Sequence, residues 1–275
     1  MKAKLIQVEK SAGQDSNFYM RVAVVLDKSG TIIDPCRVIY DFKTKECLFH
    51  INTLSYVLER GAALVNLRGS LEDLASGKLD GISFKISCCA FSPPPKLVPE
   101  STITKEIIEG VRIAIENAIS HCVSDLGACA ALIVSKSGEV THAVGLGGRL
   151  YPDVRGAVAA MCDKGAEIFL ATGNCREMTL ECAKCLNIPE GNAIFDASPY
   201  DKMSLVRKLK GHYDLVIMVG NDINDLTAMR EADISVLVKR DGKNGKETMD
   251  SFKDIDYVVR SMHEVESIVG KFRSA

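Results

Sequence analysis

The sequence predicts an α/β protein built on a parallel sheet, in which short apolar strands alternate with helices. Three runs carry this prediction: MRVAVVL at 20–26, EIFLA at 167–171 and LVIMV at 215–219. Apolar runs of this length are typical of strands that are buried on both faces of a parallel sheet. Helical patterns lie between the runs in the second half of the chain, as expected for a doubly wound fold.

The remaining elements of this sheet follow one another along the second half of the chain. Helices are predicted over 153–164, 177–186, 202–209, 225–231 and 263–272, and strands over 234–238 and 257–259. In the first of these helices Val154, Ala157, Val158 and Met161 recur at helical spacing, which places them on one face.

The segment between residues 36 and 147 has a more mixed pattern. A strand is predicted over 81–90, an amphipathic helix over 104–122, and a hairpin formed by 130–134 and 139–144 around Ser137-Gly138. The glycine-rich segment 145–148 is interpreted as a return linker. We therefore expect a core domain formed by 1–35 and 148–275, with a second α/β domain inserted over 36–147.

Composition excludes several classes of protein. Of the 275 residues, 47% are apolar and 25% are charged, which argues against disorder. The formal net charge of −2 lacks the basic excess of a nucleic-acid-binding protein. No apolar run approaches the length of about 18 residues that a membrane span needs, and the first twenty residues do not resemble a signal peptide. We expect a cytoplasmic protein whose ten cysteines are reduced thiols.

Polar, glycine-containing loops follow the three apolar strands: 27–31, 172–174 and 220–225. Ligands of open parallel sheets bind outside the carboxyl ends of the strands. A carboxylate there can attack phosphorus, and Mg²⁺ offsets the repulsion between the two anions. The Thr172 hydroxyl and the Gly173 amide can hold phosphoryl oxygens, and Lys202 can stabilise the transferring group.

Four segments carry a resemblance to a known family. They are DKSGTI at 27–32, ATGN at 171–174, SPYDKMSLVRKLK at 198–210 and VGNDINDLTAMREADISVLV at 219–238. In this order they resemble the four motifs of the haloacid dehalogenase (HAD) superfamily, and more narrowly the phosphorylation domain of P-type ATPases. The resemblance implies a Rossmann-like core sheet with an inserted cap domain that selects the substrate.

The resemblance also implies roles for single residues. Asp27 would be the nucleophile that becomes phosphorylated, Lys202 would neutralise charge on the phosphoryl group, and Thr172 would bind that group. Ser29 would offer its carbonyl to Mg²⁺. It stands where phosphatases of the family carry a general acid, so slow turnover of simple phosphomonoesters is expected. The substrate-binding set implied in this way is Thr172, Gly173, Asn174 and Asn224.

The metal site implied by the resemblance departs from the family pattern at one position. The first acidic residue of the last motif is replaced by Asn221, with Asp222 beside it. Either of these residues is a candidate ligand, together with Asp27, Ser29 and Asp225. Since a neutral amide removes one negative charge from the site, we expect weak Mg²⁺ affinity in the absence of phosphate.

These observations favour a Mg²⁺-dependent phosphohydrolase that acts through an aspartyl-phosphate on a small phosphorylated metabolite or nucleotide. One alternative is a soluble relative of the P-type ATPases that hydrolyses ATP or transfers its phosphate. Another is a non-catalytic binding or regulatory protein on a degenerate HAD scaffold, motivated by Ser29, Asn174 and Asn221. No nucleic-acid or membrane partner is expected, and the oligomeric state is left open.

Overall fold

The computed structural model describes residues 20–272 except 50, 70–72, 74–80, 95–102, 123–125, 127 and 241–249. Its contacts divide the chain into two compact units. The first unit comprises Met1–Thr31, Asp153–Phe169 and Ser198–Ala275, and the second comprises Ile32–Pro152 and Leu170–Ala197. The domain boundaries given above for the core and the inserted domain stay a prediction.

The described strands and helices have the following bounds. The strands are β1 (Val22–Leu26), β2 (Ile33–Asp41), β3 (Cys47–Phe49), β4 (Ala63–Arg68), β5 (Ser83–Cys89), β6 (Cys129–Val134), β7 (Val140–Leu150), β8 (Glu167–Ala171), β9 (Ala193–Ile194), β10 (Leu215–Gly220), β11 (Ile234–Val238) and β12 (Tyr257–Val259). The α-helices are α1 (Thr53–Glu59), α2 (Lys105–Cys122), α3 (Val154–Asp163), α4 (Arg176–Cys185), α5 (Pro199–Lys210), α6 (Leu226–Glu231) and α7 (Met262–Lys271). Short 3₁₀ turns lie at Glu190–Asn192, Ile223–Asp225 and Asp250–Phe252.

The first sheet has the strand order β12-β11-β10-β1-β8-β9. Strand β1 pairs in parallel with β10, so that Val22 lies opposite Leu215 and Leu26 opposite Val219. Strands β10, β11 and β12 continue in parallel. All residues of β1 and β10 are buried, as their uninterrupted apolar sequences predict. The prediction of a parallel α/β sheet is confirmed.

The second sheet is antiparallel, with the order β3-β2-β7-β6-β4-β5. Helix α2 packs on one face, where Val65, Leu132 and Ala143 belong to the same core as Val111 of the helix. Helix α1 packs on the other face, against residues that include Ile39, Ala131 and Val144. This sheet with its helices confirms the prediction of a second α/β region between the first and second motifs.

The interpretation of 145–148 as a linker is wrong. Strand β7 runs through this segment and pairs with β2, with Gly145 opposite Val38 and Gly148 opposite Pro35. A Cβ atom on Gly145 would lie 2.1 Å from the Ala114 carbonyl oxygen of α2. The glycine is therefore explained by the close approach of a helix to a strand rather than by a turn.

The expectation that all cysteines are reduced is also wrong. Cys129 of β6 and Cys175, the residue before α4, form a disulfide with a Cα–Cα distance of 6.5 Å. Cys36 is disulfide-bonded as well. The paired residues Cys129 and Cys175 lie 46 positions apart, so no short cysteine spacing in the sequence predicts this disulfide. In the described part of the chain, the cysteines that form no disulfide are Cys47, Cys88, Cys89, Cys162, Cys182 and Cys185.

Candidate active site

Asp27 is the first residue after the central strand β1. Its backbone N–H donates to the Val219 carbonyl over 2.9 Å, which continues the parallel ladder by one step. The residue is 6% exposed, so its carboxylate is held at the end of the strand and largely out of water. A carboxylate in this environment needs partners, because burial of an unpaired charge is costly.

Lys202 is the ion-pair partner of Asp27. It lies in the first turn of α5, which Ser198 begins with a capping box that includes Asp201, and Pro199 occupies the first helical turn. The Lys202 side chain is buried, and its Nζ lies 2.5 Å from Asp27 Oδ1 and 2.7 Å from Asp225 Oδ1. One ammonium group thus bridges two carboxylates, one after β1 and the other in the loop after β10.

Asp225 is held by the loop that follows β10. It is 1% exposed, and its Oδ2 accepts hydrogen bonds from the backbone N–H groups of Asn221 (3.1 Å) and Asp222 (3.3 Å). The Asp222 carboxylate instead accepts from the Ile223 N–H over 2.6 Å and is exposed. Asp222 therefore caps the 3₁₀ turn, while Asp225 belongs to the buried ion cluster.

The charges of this cluster do not balance among the three side chains. Two carboxylates share one ammonium group, which leaves one excess negative charge. Burial, together with the negative charge of Asp225, raises the pKa of Asp27 to about 6, although Lys202 acts in the opposite direction. Burial would lower the pKa of Lys202, but the two carboxylates outweigh it and hold this pKa above its usual value.

A second set of oxygen atoms meets at Thr31, which the sequence analysis did not single out. The Thr31 Oγ1 lies 3.3 Å from Asp27 Oδ2 and 3.3 Å from Asn221 Oδ1. Since a hydroxyl group has one proton, it can donate to only one of these two oxygens at a time. Gly30 adopts φ +84°, and a Cβ atom there would lie 2.2 Å from Asn221 Nδ2, so the amide packs directly against the loop.

Arg240 was also not predicted as a site residue, because it lies outside the four motifs. Its guanidinium donates to both carboxylate oxygens of Asp153, at 3.0 and 2.8 Å, and to the Thr31 carbonyl at 3.0 Å. The Asp153 carboxylate in turn accepts from the Met262 N–H at the start of α7. Arg240 thereby ties the loop after β1 to the N-terminal ends of α3 and α7.

The residues of the second motif belong to the second unit. Thr172 is 2% exposed, and its Oγ1 donates to Asn174 Oδ1 over 2.9 Å. The loop is closed by Asp196, whose N–H donates to the Asn174 carbonyl, and by Ala197, whose N–H donates to the Thr172 carbonyl, each over 2.8 Å. Gly173 is exposed.

The sequence-predicted residues fall into three groups. Asp27, Lys202 and Asp225 are joined directly, and Asn221 reaches Asp27 through Thr31. Ser29 is half-buried in the loop after β1, whereas Asp222 and Asn224 are exposed. Thr172, Gly173 and Asn174 form a loop of their own in the second unit.

The donor set at Asp27 suits a hard cation. Among the described residues, no three carboxylate, imidazole or thiol side chains form a metal-binding cluster. The oxygen donors that Lys202 and Thr31 connect at Asp27 are instead its own carboxylate, the carboxylate of Asp225 and the amide oxygen of Asn221. These are oxygen donors with few charges, which fits Mg²⁺ better than a metal that prefers nitrogen or sulfur.

Comparison with known families identifies the class of protein. The profile of the haloacid dehalogenase-like hydrolases matches residues 22–233. The chain belongs to this family of hydrolases.

Several individual proteins are similar to this chain. The chain is 27% identical over 267 residues to a soluble P-type ATPase-like phosphatase of Methanocaldococcus jannaschii, which covers 92% of this chain and 94% of the relative. It is 25% identical over 226 residues to a copper-transporting ATPase of Helicobacter pylori, covering 79% of this chain but 29% of that protein. A zinc-transporting PIB-type ATPase structure aligns with 93% of this chain and 41% of its own, at 17% identity and a TM-score of 0.47.

The chain thus spans nearly all of the first relative but less than a third of the transporting ATPase. No helix in the described part of the chain is long and apolar enough to cross a membrane. The resemblance of the motifs to P-type ATPases is confirmed by these relatives.

Proposed function

We propose that this hydrolase removes phosphoryl groups through an aspartyl-phosphate on Asp27, with Mg²⁺ as its cofactor. The observation that carries the proposal is the buried cluster at the end of β1. There the Asp27 carboxylate is oriented by the ammonium group of Lys202, which also contacts Asp225. A carboxylate with one fixed oxygen is preorganised for attack on phosphorus.

In the first step an oxygen of Asp27 forms a bond to phosphorus, and the bond from phosphorus to the leaving oxygen breaks. The buried ammonium group of Lys202 offsets negative charge on the transferring group. In the second step water attacks phosphorus, the bond to Asp27 breaks, and phosphate is released with the carboxylate restored. The Thr172 hydroxyl and the Gly173 N–H are the proposed donors to the phosphoryl oxygens.

The bound metal ion would neutralise the repulsion between the nucleophile and the phosphate. Asp27, Asn221 and the Ser29 carbonyl are its proposed ligands, with Asp225 beside them. The contact of Asn221 with Thr31, and the role of Asp222 as a cap of Ile223, support Asn221 over Asp222.

Ser29 shapes the proposed choice of leaving group. A serine hydroxyl is a poor proton donor at neutral pH, so it cannot assist the departure of an alkoxide as a carboxylic acid would. The leaving groups of acyl phosphates, phosphoanhydrides and aryl phosphates depart without a proton. These three classes of compound are the proposed better substrates. ATP is included among them because the relatives include P-type ATPases.

The test uses purified protein with Mg²⁺ and three substrates: acetyl phosphate, p-nitrophenyl phosphate and ATP. Hydrolysis should disappear in Asp27→Asn and persist in Asp163→Asn, which changes an exposed aspartate at the end of α3. Acid-quenched wild-type protein should carry one phosphoryl group on the peptide that contains Asp27. Activity that survives in Asp27→Asn would refute the proposal. A cytoplasmic location and a small phosphorylated metabolite or nucleotide as the substrate remain part of the proposal.

A further inference from the structure

One face of the antiparallel sheet carries two cations that the proposed mechanism does not use. Residues of β4 alternate between buried and half-buried, and Arg68 belongs to the half-buried set with Asn66. Asn66 lies opposite Lys85 of β5, and Arg68 lies opposite Ser83. Because directly opposite residues point to the same side of an antiparallel pair, Arg68 and Lys85 share a face.

Both cations converge on Asp196. The Arg68 Nη2 lies 2.8 Å from Asp196 Oδ2, and the Lys85 Nζ donates to the Asp196 carbonyl over 2.8 Å. Asp196 also donates its N–H to the carbonyl of Asn174. The two cations are therefore connected through Asp196 to the loop that contains Thr172 and Gly173, and all of these residues belong to the same unit.

The hydrogen-bonding capacity of this cluster is not filled. Arg68 Nε and Asp196 Oδ1 are buried, and no described residue forms a hydrogen bond with either atom. Asp196 is the sole carboxylate among the described residues that pairs with Arg68, and Lys85 has a carbonyl partner but no carboxylate in that set. A buried unpaired donor is costly, and an arginine and a lysine side by side are suited to an incoming anion.

We propose that Arg68 and Lys85 form a subsite for a second anionic group, a carboxylate or a phosphate, on a phosphorylated ligand. The inference rests on the proposed function, in which Thr172 and Gly173 hold the phosphoryl group. An anion at this subsite would pair with the half-buried guanidinium group of Arg68 and balance the charge of Lys85. The enzyme would then select phosphorylated compounds with two anionic ends over those with one.

The experiment compares ligands that differ in the second group. The pair 3-phosphoglycerate and glycerol 3-phosphate differs by a carboxylate, and the pair fructose 1,6-bisphosphate and fructose 6-phosphate differs by a phosphate. As alkyl phosphates they are expected to be slow substrates, so each is measured as a competitive inhibitor of p-nitrophenyl phosphate hydrolysis. Their effect on the melting temperature gives a second readout that needs no turnover.

In the wild type, at least one ligand with two anionic groups should bind about tenfold more tightly than its matched partner with one, as expected for a charge-assisted hydrogen bond. Preference in the first pair assigns a carboxylate and preference in the second a phosphate. Arg68→Gln should abolish the preference. Arg112→Gln should retain it, because Arg112 is an exposed arginine of α2 that pairs with Glu109 and Glu116.

Asp196→Asn separates a binding role from a merely structural ion pair. Asparagine tolerates the positive φ of this position, +52°, and removes the carboxylate that competes with the ligand. Affinity for the ligand with two anionic groups should then rise roughly threefold. An unchanged ligand preference in both Arg68→Gln and Asp196→Asn, or no preference in the wild type, would overturn the inference.

Failure of the proposed function has a different signature. In that case the wild type shows no hydrolysis that depends on Asp27, and the inhibition assay yields no data. The melting-temperature shifts still decide the subsite, because they compare each ligand pair directly in wild type, Arg68→Gln and Asp196→Asn.

Discussion

Replacing the proposed nucleophile should stabilise the metal-free protein. Asp27 is buried beside a second carboxylate, and its pKa is raised from 3.8 to about 6. A group whose pKa is higher in the folded state contributes stability at low pH and loses it as the pH rises through the folded value. In Asp27→Asn the position stays neutral at every pH, so this loss does not occur.

The magnitude follows from the pKa difference. A shift of about two units corresponds to about 3 kcal/mol of unfolding free energy at pH 7.5, where Asp27 is ionised in both states. At pH 4 the folded-state carboxyl is protonated, so most of this difference should disappear. The cost at neutral pH is the ionisation of a buried carboxyl for which Lys202 compensates only in part.

The assay is urea unfolding followed by circular dichroism, with EDTA present, at pH 7.5 and pH 4. A matched control is Asp153→Asn, since the pKa of Asp153 is lowered: burial acts to raise it, but the hydrogen bonds from Arg240 and Met262 outweigh burial. That variant should lose stability at pH 7.5, the opposite sign to Asp27→Asn. If Asp27→Asn is less stable than wild type at pH 7.5, pairing with Lys202 outweighs burial and the electrostatic reasoning is refuted.

Three further outcomes are expected. Asn221→Asp should tighten Mg²⁺ binding in calorimetry, because it adds a negative charge to the proposed ligand set; an unchanged affinity there, with binding abolished by Asp222→Ala, would assign the ligand to Asp222. Arg240→Gln should lower both kcat and thermal stability, since it releases the loop after β1; intact activity at reduced stability would limit Arg240 to a structural role. Peptide mapping without reductant should recover Cys129 linked to Cys175, and recovery of both as alkylated thiols would contradict the pairing.

Much of the candidate site was accessible from sequence. Asp27 and Lys202 are 175 positions apart, yet each lies in a short motif that also marks the end of a strand or the start of a helix. Strand ends of a parallel sheet meet at one edge, so the proximity of Asp27 and Asp225 follows from the order of elements. The residues Thr31 and Arg240 were missed for different reasons. Thr31 lies inside a quoted motif but was given no role, whereas Arg240 follows the last motif.

The amino-acid sequence alone determined the parallel core, the insertion of a second α/β region and the four motif segments. These features depend on local apolar periodicity and on short runs of polar residues, which are readable one segment at a time. The tertiary structure decided which partners those residues have: the bridge from Lys202 to two carboxylates, the hydrogen bond from Arg240 to Thr31 across 209 positions, and the pairing of Cys129 with Cys175. Such contacts arise from the packing of distant elements, and no periodicity within a segment encodes them.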